Sequence, residues 1–159
     1  MKNYLLAITL FILLSACAKN DPIDFFKELP TYEVSEEIPF DPSWWEAEKK
    51  IVIAAKSLYF FSIPFIDLVE PYDFPVLIYV SADSPEQVLE YLKNHEFKHP
   101  IIFDPEANFF EKNRLRERFN FDKENTLTAF YMMNDEIIKP ANIGMREWFV
   151  KELKEFEEL

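Results

Sequence analysis

The chain has 159 residues, 49% hydrophobic and 17% aromatic, enough apolar material for one domain with its own core and too much for a disordered chain. A formal net charge of −12 argues against nucleic acid and against attraction to anionic lipid, since both require a basic face. Glycine occurs once, at Gly144, which excludes Gly-rich dinucleotide loops, phosphate loops and a Gly-framed nucleophile elbow, so no cofactor is expected.

The chain opens with a positive Lys2 and an apolar stretch from Leu5 to Leu14 that is too short to span a bilayer comfortably. Leu14-Ser15-Ala16-Cys17 follows, and Cys17 is the only cysteine. This is the layout of a secretory signal, and those four residues resemble the lipobox of bacterial lipoproteins. The resemblance implies cleavage before Cys17, a diacylglycerol on its sulfur with further acylation such as palmitate, and no thiol left for chemistry. Removing residues 1–16 from the 159 leaves 143, and losing Lys2 takes the charge from −12 to −13. With so acidic a chain the acyl groups must supply the membrane contact. The expected organisation is a signal peptide over 1–16, a lipidated tether over 17–30 and one domain over 31–159.

The tether reading rests on a polar stretch with two prolines. Thr31 to Phe40 alternates weakly and suits an edge strand or a loop. Asp41-Pro42-Ser43 reads as a helix start running through Trp44 and Trp45 to about Lys49. The apolar run 51–55 reads as a buried strand, and 58–69 as a helix interrupted at Pro64. Val76 to Val80 is the clearest strand, expected to be the most buried segment. Ser84-Pro85-Glu86-Gln87 predicts a capping box and a helix to about His95. Strand 100–104, a helix opened by Asp104 and carrying Phe109 and Phe110, and a hairpin over 127–138 follow. Met145, Trp148, Phe149, Leu153 and Phe156 form the apolar stripe of a last helix. Alternating strands and helices closed by a hairpin predict an α/β fold, a mixed sheet flanked by helices.

This order resembles the thioredoxin-like fold. Val76 to Ser84 with Pro85-Glu86-Gln87, the strand leaving through Asp104-Pro105-Glu106, and the late hairpin 128–138 before Gly144 carry the likeness. Over 50–156 the chain is similar to thioredoxin-like lipoproteins of the Bacteroidota type. The family's redox-active members place a Cys-x-x-Cys after the first central strand, where a helix start lowers a thiol's pKa. The matching stretch here is 59–64, with Phe60 and Ile63 at the two cysteine positions, and the facing cis-proline position falls at Thr126 or Leu127. Neither cysteine nor the proline is present. The resemblance therefore implies a redox-inactive domain in the cell envelope, on the periplasmic side or surface of the outer membrane. Its degenerate position, with Tyr59, Phe60, Ile63, Thr126 and Leu127, would bind a peptide, a protein or a small apolar ligand. Two alternatives remain, an oxidoreductase with residual or partner-dependent activity and a structural or accessory envelope subunit.

Other residues admit a functional and a plainer reading. Phe60, Phe61 and Phe65 make either an apolar site or helix core. Trp44 and Trp45 make either a binding platform or packing. His95 and His99 could hold a metal with Asp104 or Glu96, but Pro100 puts His99 outside the helix, which favours surface histidines and no metal. Asp104 and Glu106 could pair as acid and base, but Asp104 suits a helix cap.

Overall fold

The structure is a computed structural model, and the residues it describes are 22–58, 61, 65–121 and 127–159. Six strands form one sheet: β1 (Thr31–Tyr32), β2 (Lys49–Ala55), β3 (Val76–Val80), β4 (Ile101–Phe103), β5 (Leu127–Met133) and β6 (Glu136–Pro140), in spatial order β1-β4-β3-β2-β5-β6. β2, β3 and β4 run parallel, while β1, β5 and β6 pair antiparallel. The α-helices are α1 (Pro85–Asn94), α2 (Asn108–Lys112), α3 (Leu115–Phe119) and α4 (Arg146–Glu157), with short 3-10 turns at Pro42–Glu46 and Ile66–Leu68. The expected mixed, helix-flanked sheet is what forms.

Both sheet faces are covered, which is why the central strands read as continuous apolar runs rather than alternating ones. Ile51, Ile53, Val76, Ile78 and Tyr131 point to face A, packed under Leu58, Phe61, residues 65–69, α1 and α4. Val52, Leu77, Tyr79, Phe130 and Met132 point to face B, packed under residues 22–29, the turn 42–46, α2 and α3. All five residues of β3 are buried, as expected for the central strand.

Residues 22–29 belong to this second layer. Ile23, Phe25 and Phe26 are buried, so of the stretch 17–30 assigned as tether these residues are part of the domain, and 17–21 lie outside the described residues. The segment has no regular secondary structure, so its backbone needs partners from elsewhere. Tyr79 donates its hydroxyl to the Phe25 carbonyl, Asn113 bonds both the Asp24 amide and carbonyl, and the Ile23 amide reaches the Asp135 carbonyl. Lys50 is buried beneath the segment. Its ammonium donates to the Trp45 carbonyl at 2.7 Å, sits 4.6 Å from the centre of the Phe25 ring and lies 3.5 Å from Asp135. Desolvation holds the Lys50 pKa below its ordinary value despite the pull of Asp135.

Several local expectations change. The helix opened by Asp41 is a 3-10 turn that ends at Glu46, with Asp41 accepting from the Ser43 amide. Ser84 caps α1 by accepting from the Gln87 amide, but its hydroxyl donates to Glu86, so the cap forms without the reciprocal arm from Gln87. On α4, Phe149, Leu153 and Phe156 are buried, whereas Met145 and Trp148 are 52% and 62% exposed. Glu152 takes the inward place between them, accepting from the Asn142 amide and side chain to close the loop before the helix.

Candidate functional site

The stretch that the resemblance matches to the redox motif follows β2, and the facing position falls at the start of β5. Of these two strand ends, Ala55 pairs with Leu127. Leu127 is half-buried and packs against the face A core. Cys17, Tyr59, Phe60, Ile63 and Thr126 lie outside the described residues. Their neighbours Phe61 and Phe65 are 5% and 2% exposed and join the face A core, so the plainer reading holds for these two rings. Lys56, the first residue after β2, is bound to Glu111 at 2.8 Å and lies over the Phe110 ring.

The other candidates resolve into structural roles. Asp104 is buried, and its two carboxylate oxygens accept from the amides of Asn108 and Phe109 and from the Asn108 side chain. Asp104 therefore holds the first amides of α2 from upstream, while the N-cap position itself is Ala107 and the helix opens at Asn108 rather than at Asp104-Pro105 as expected. His95 donates Nδ1–H to the Tyr91 carbonyl and stacks on the Tyr91 ring at 4.0 Å. Among the described residues no group of three or more His, Cys, Asp and Glu can hold a metal. Trp45 is buried, and half-buried Trp44 meets Phe40 edge-on, so the pair forms no open platform.

A cleft of about 400 Å³ lies elsewhere, between the turn 66–70 and the segment 95–99. Its local geometry follows from two chain reversals. The turn 66–70 is closed by the Val69 and Glu70 amides, both bonding the Ile66 carbonyl, which sets Asp67 and Glu70 three residues apart on its exposed side. α1 ends in a Schellman motif: Glu96 adopts a left-handed φ of 54°, its amide reaches the Lys93 carbonyl, and the Phe97 amide reaches the Leu92 carbonyl. That reversal swings Phe97 back onto the core, where it meets Phe61 edge-on at 4.9 Å. Phe61, Ile66, Phe97 and Ile38 give the cleft an apolar lining. His99 is half-buried beside it, and desolvation lowers its pKa against the opposing pull of Glu70 and Asp67. The sequence singled out Phe61, His95, Glu96 and His99 separately but not the cleft they share, because its walls come from three segments joined only by the fold.

The cleft is not at the redox-equivalent end. α1 runs back from the C-terminal end of β3, so 95–99 lies by the start of β4, opposite the end where Ala55 meets Leu127. No helix among the described residues is long and apolar enough to cross a membrane.

No protein-family model matches the chain, and no curated protein matches it. Solved structures do. A candidate protein disulfide isomerase from Bacteroides thetaiotaomicron is 19% identical over 69% of this chain and 75% of that one, with a TM-score of 0.51. The exposed lipoprotein thioredoxin of Streptococcus pneumoniae is 18% identical over 71% of this chain and 88% of that one, with a TM-score of 0.50. At these identities the likeness speaks to architecture alone, and the architecture is thioredoxin-like.

Proposed function

We propose that this protein is a lipid-anchored, cell-envelope binding domain that performs no thiol chemistry. The observation that carries the reading is the placement of its single cysteine. A thioredoxin-like sheet is present, yet Cys17 precedes all described residues and no other cysteine exists anywhere in the chain. Disulfide exchange requires a thiolate attacking a sulfur and a second thiol to resolve the mixed disulfide. An acylated Cys17 supplies neither. The names of the two solved neighbours belong to proteins of their own, and the exchange activity those names denote is not carried over to a chain without the cysteines. One of them is itself named a lipoprotein, which is in keeping with the lipobox-like run ending at Cys17.

In this reading Phe61 and Phe65, beside the position without redox cysteines, have joined the core, and the domain serves to recognise a peptide, a protein or a small ligand. The anchor holds the domain at the outer membrane. Two measurements test the proposal. Insulin-disulfide reduction by the mature protein should show no turnover above buffer, and measurable turnover restores the oxidoreductase alternative. Metabolic labelling with a palmitate analogue should mark the wild type and leave Cys17→Ser unlabelled, and label retained in the variant removes the lipid anchor.

A further inference from the structure

Residues 22–26 lie on face B as an extended peptide lies in a receptor groove. The segment belongs to no strand, and four of its backbone groups are bonded by distant parts of the fold. Asn113 accepts from the Asp24 amide at 2.9 Å and donates to the Asp24 carbonyl at 2.8 Å. Tyr79 donates to the Phe25 carbonyl, and the Asp135 carbonyl accepts from the Ile23 amide at 3.2 Å. The side chains fill apolar space between those bonds. The Phe25 ring meets Trp45 at 5.9 Å and Phe109 at 6.5 Å beside the Lys50 ammonium, and Lys112 lies 5.3 Å from the centre of the Phe26 ring. Main-chain bonds give such a groove its affinity, and side-chain pockets give it selectivity. The join between segment and domain is strained. Phe26 holds a φ of 49°, a left-handed conformation that disfavours a bulky side chain, and the Leu29 amide closes the turn onto the Phe26 carbonyl. A free peptide in the same groove need not make that turn.

We propose that face B carries a binding site for an extended peptide, held shut in this conformation by residues 22–26 acting as the chain's own ligand. The occupant it fits is a segment of another protein with an aliphatic residue, a short acceptor side chain and two consecutive aromatics, the chemistry of Ile23-Asp24-Phe25-Phe26. The short acceptor matters because Asp24 Oδ1 accepts from the Phe26 amide at 2.9 Å and fixes the chain between the two rings. The aromatics matter because Lys50 and Lys112 stand over their faces, where a cation is attracted to the ring. A second copy of this chain carries the same segment, but two bodies of formal charge −12 repel each other. The segment is also well placed to give way, since it lies at the edge of the described chain, where local opening concentrates. This inference rests on the binding-domain reading and names its ligand class and its regulation.

The test adds a fluorescent synthetic peptide of residues 22–29 to the full mature chain carrying Cys17→Ser, so that no detergent micelle competes for the peptide. The groove of this parent chain is already filled and should bind the peptide weakly. Phe25→Ala loosens the chain's own segment and should bind it at least about ten-fold tighter. The peptide should also raise the melting temperature of that variant and not of the parent. Adding Tyr79→Phe to Phe25→Ala should weaken the peptide about five-fold or more, because the groove itself is then damaged. Asp24→Ala sits at an exposed position, loosens the segment without removing core, and should shift affinity in the same direction as Phe25→Ala. Saturating peptide should raise amide exchange at the chain's own residues 23–26 and leave α4 unchanged. No saturable binding to either loosened variant overturns the proposal, and so does equal binding of a peptide carrying Phe25→Ser and Phe26→Ser. A concentration-dependent dimer of the parent that free peptide dissolves overturns the assignment to another protein and gives the site to a second copy. The absence of thiol chemistry is judged separately by insulin turnover, so failure here leaves that reading standing.

Discussion

The two faces of the sheet are built from the same strands but held in different ways. Face A is closed largely by α1 and α4, whose backbone bonds are internal, and beside its apolar cluster the buried Glu152 serves the loop before its own helix. Face B is closed partly by irregular chain, and there buried polar groups appear: Tyr79 to Phe25, Asn113 to Asp24, Lys50 to Trp45, Asp104 to α2. Helices satisfy their own amides, whereas an extended segment laid on a sheet must borrow partners. The polar residues of face B are therefore the means by which a segment without secondary structure becomes part of a core.

Four measurements sharpen or break this comparison. The largest effect is expected on face A. Phe65→Ser removes a ring that is 2% exposed and should cost about 3–5 kcal/mol in chemical denaturation. A loss under about 1 kcal/mol would show the ring to be a surface contact and reopen the stretch 59–65 as a binding surface. Next, Leu77→Ala and Ile78→Ala sit side by side on β3 and face opposite layers. Each should cost about 2–5 kcal/mol. A large asymmetry would mean that one layer is not packed as described.

Tyr79→Phe is specific to face B. It removes one hydroxyl, leaves the Phe25 carbonyl without its donor, and should cost about 1–3 kcal/mol. Amide exchange should rise at 23–26 and stay unchanged in α4. Uniform loss of protection would mean that the segment is not separately stapled.

The smallest effect concerns pH. Because burial lowers the His99 pKa in the folded state, the unfolded chain binds that proton more readily. The stability linked to this group is complete above the unfolded value of about 6.5 and is lost as pH falls below it. Asp67 and Glu70 oppose the shift, so the slope is modest. Between about pH 7 and about pH 5 the wild type should lose more stability than His99→Gln, and parallel curves would remove the effect.

The strands were legible because a strand buried on both faces must be a continuous apolar run, as 51–55 and 76–80 are. The caps were legible because Asp41, Ser84 and Asp104 act on amides within a few residues of themselves. Residues 22–29 were misread because Ile23, Phe25 and Phe26 follow no regular period and their partners come from far along the chain, in Tyr79, Asn113 and Asp135. Met145 and Trp148 fit the helical stripe of α4, but the loop needed Glu152 inward, and no spacing rule anticipates that exchange. At the candidate site Tyr59, Phe60, Ile63 and Thr126 lie outside the described residues, while Phe61 and Phe65, foreseen as core or contact, are core. The cleft required two chain reversals to be known first.

For a chain moored at Cys17, the stapled segment would also set which way the domain is displayed. Ile23 is bonded at the β5–β6 turn, so the chain leaves the domain at that end of the sheet. Cys17 precedes Pro22 by five positions, a reach of at most about 18 Å. β2 carries the sheet away from that exit for seven residues, about 23 Å, before Ala55 meets Leu127. A domain moored at Cys17 would therefore stand with the β5–β6 turn toward the bilayer and hold the Ala55–Leu127 end outward, so that the short leash acts as a compass needle rather than a loose string.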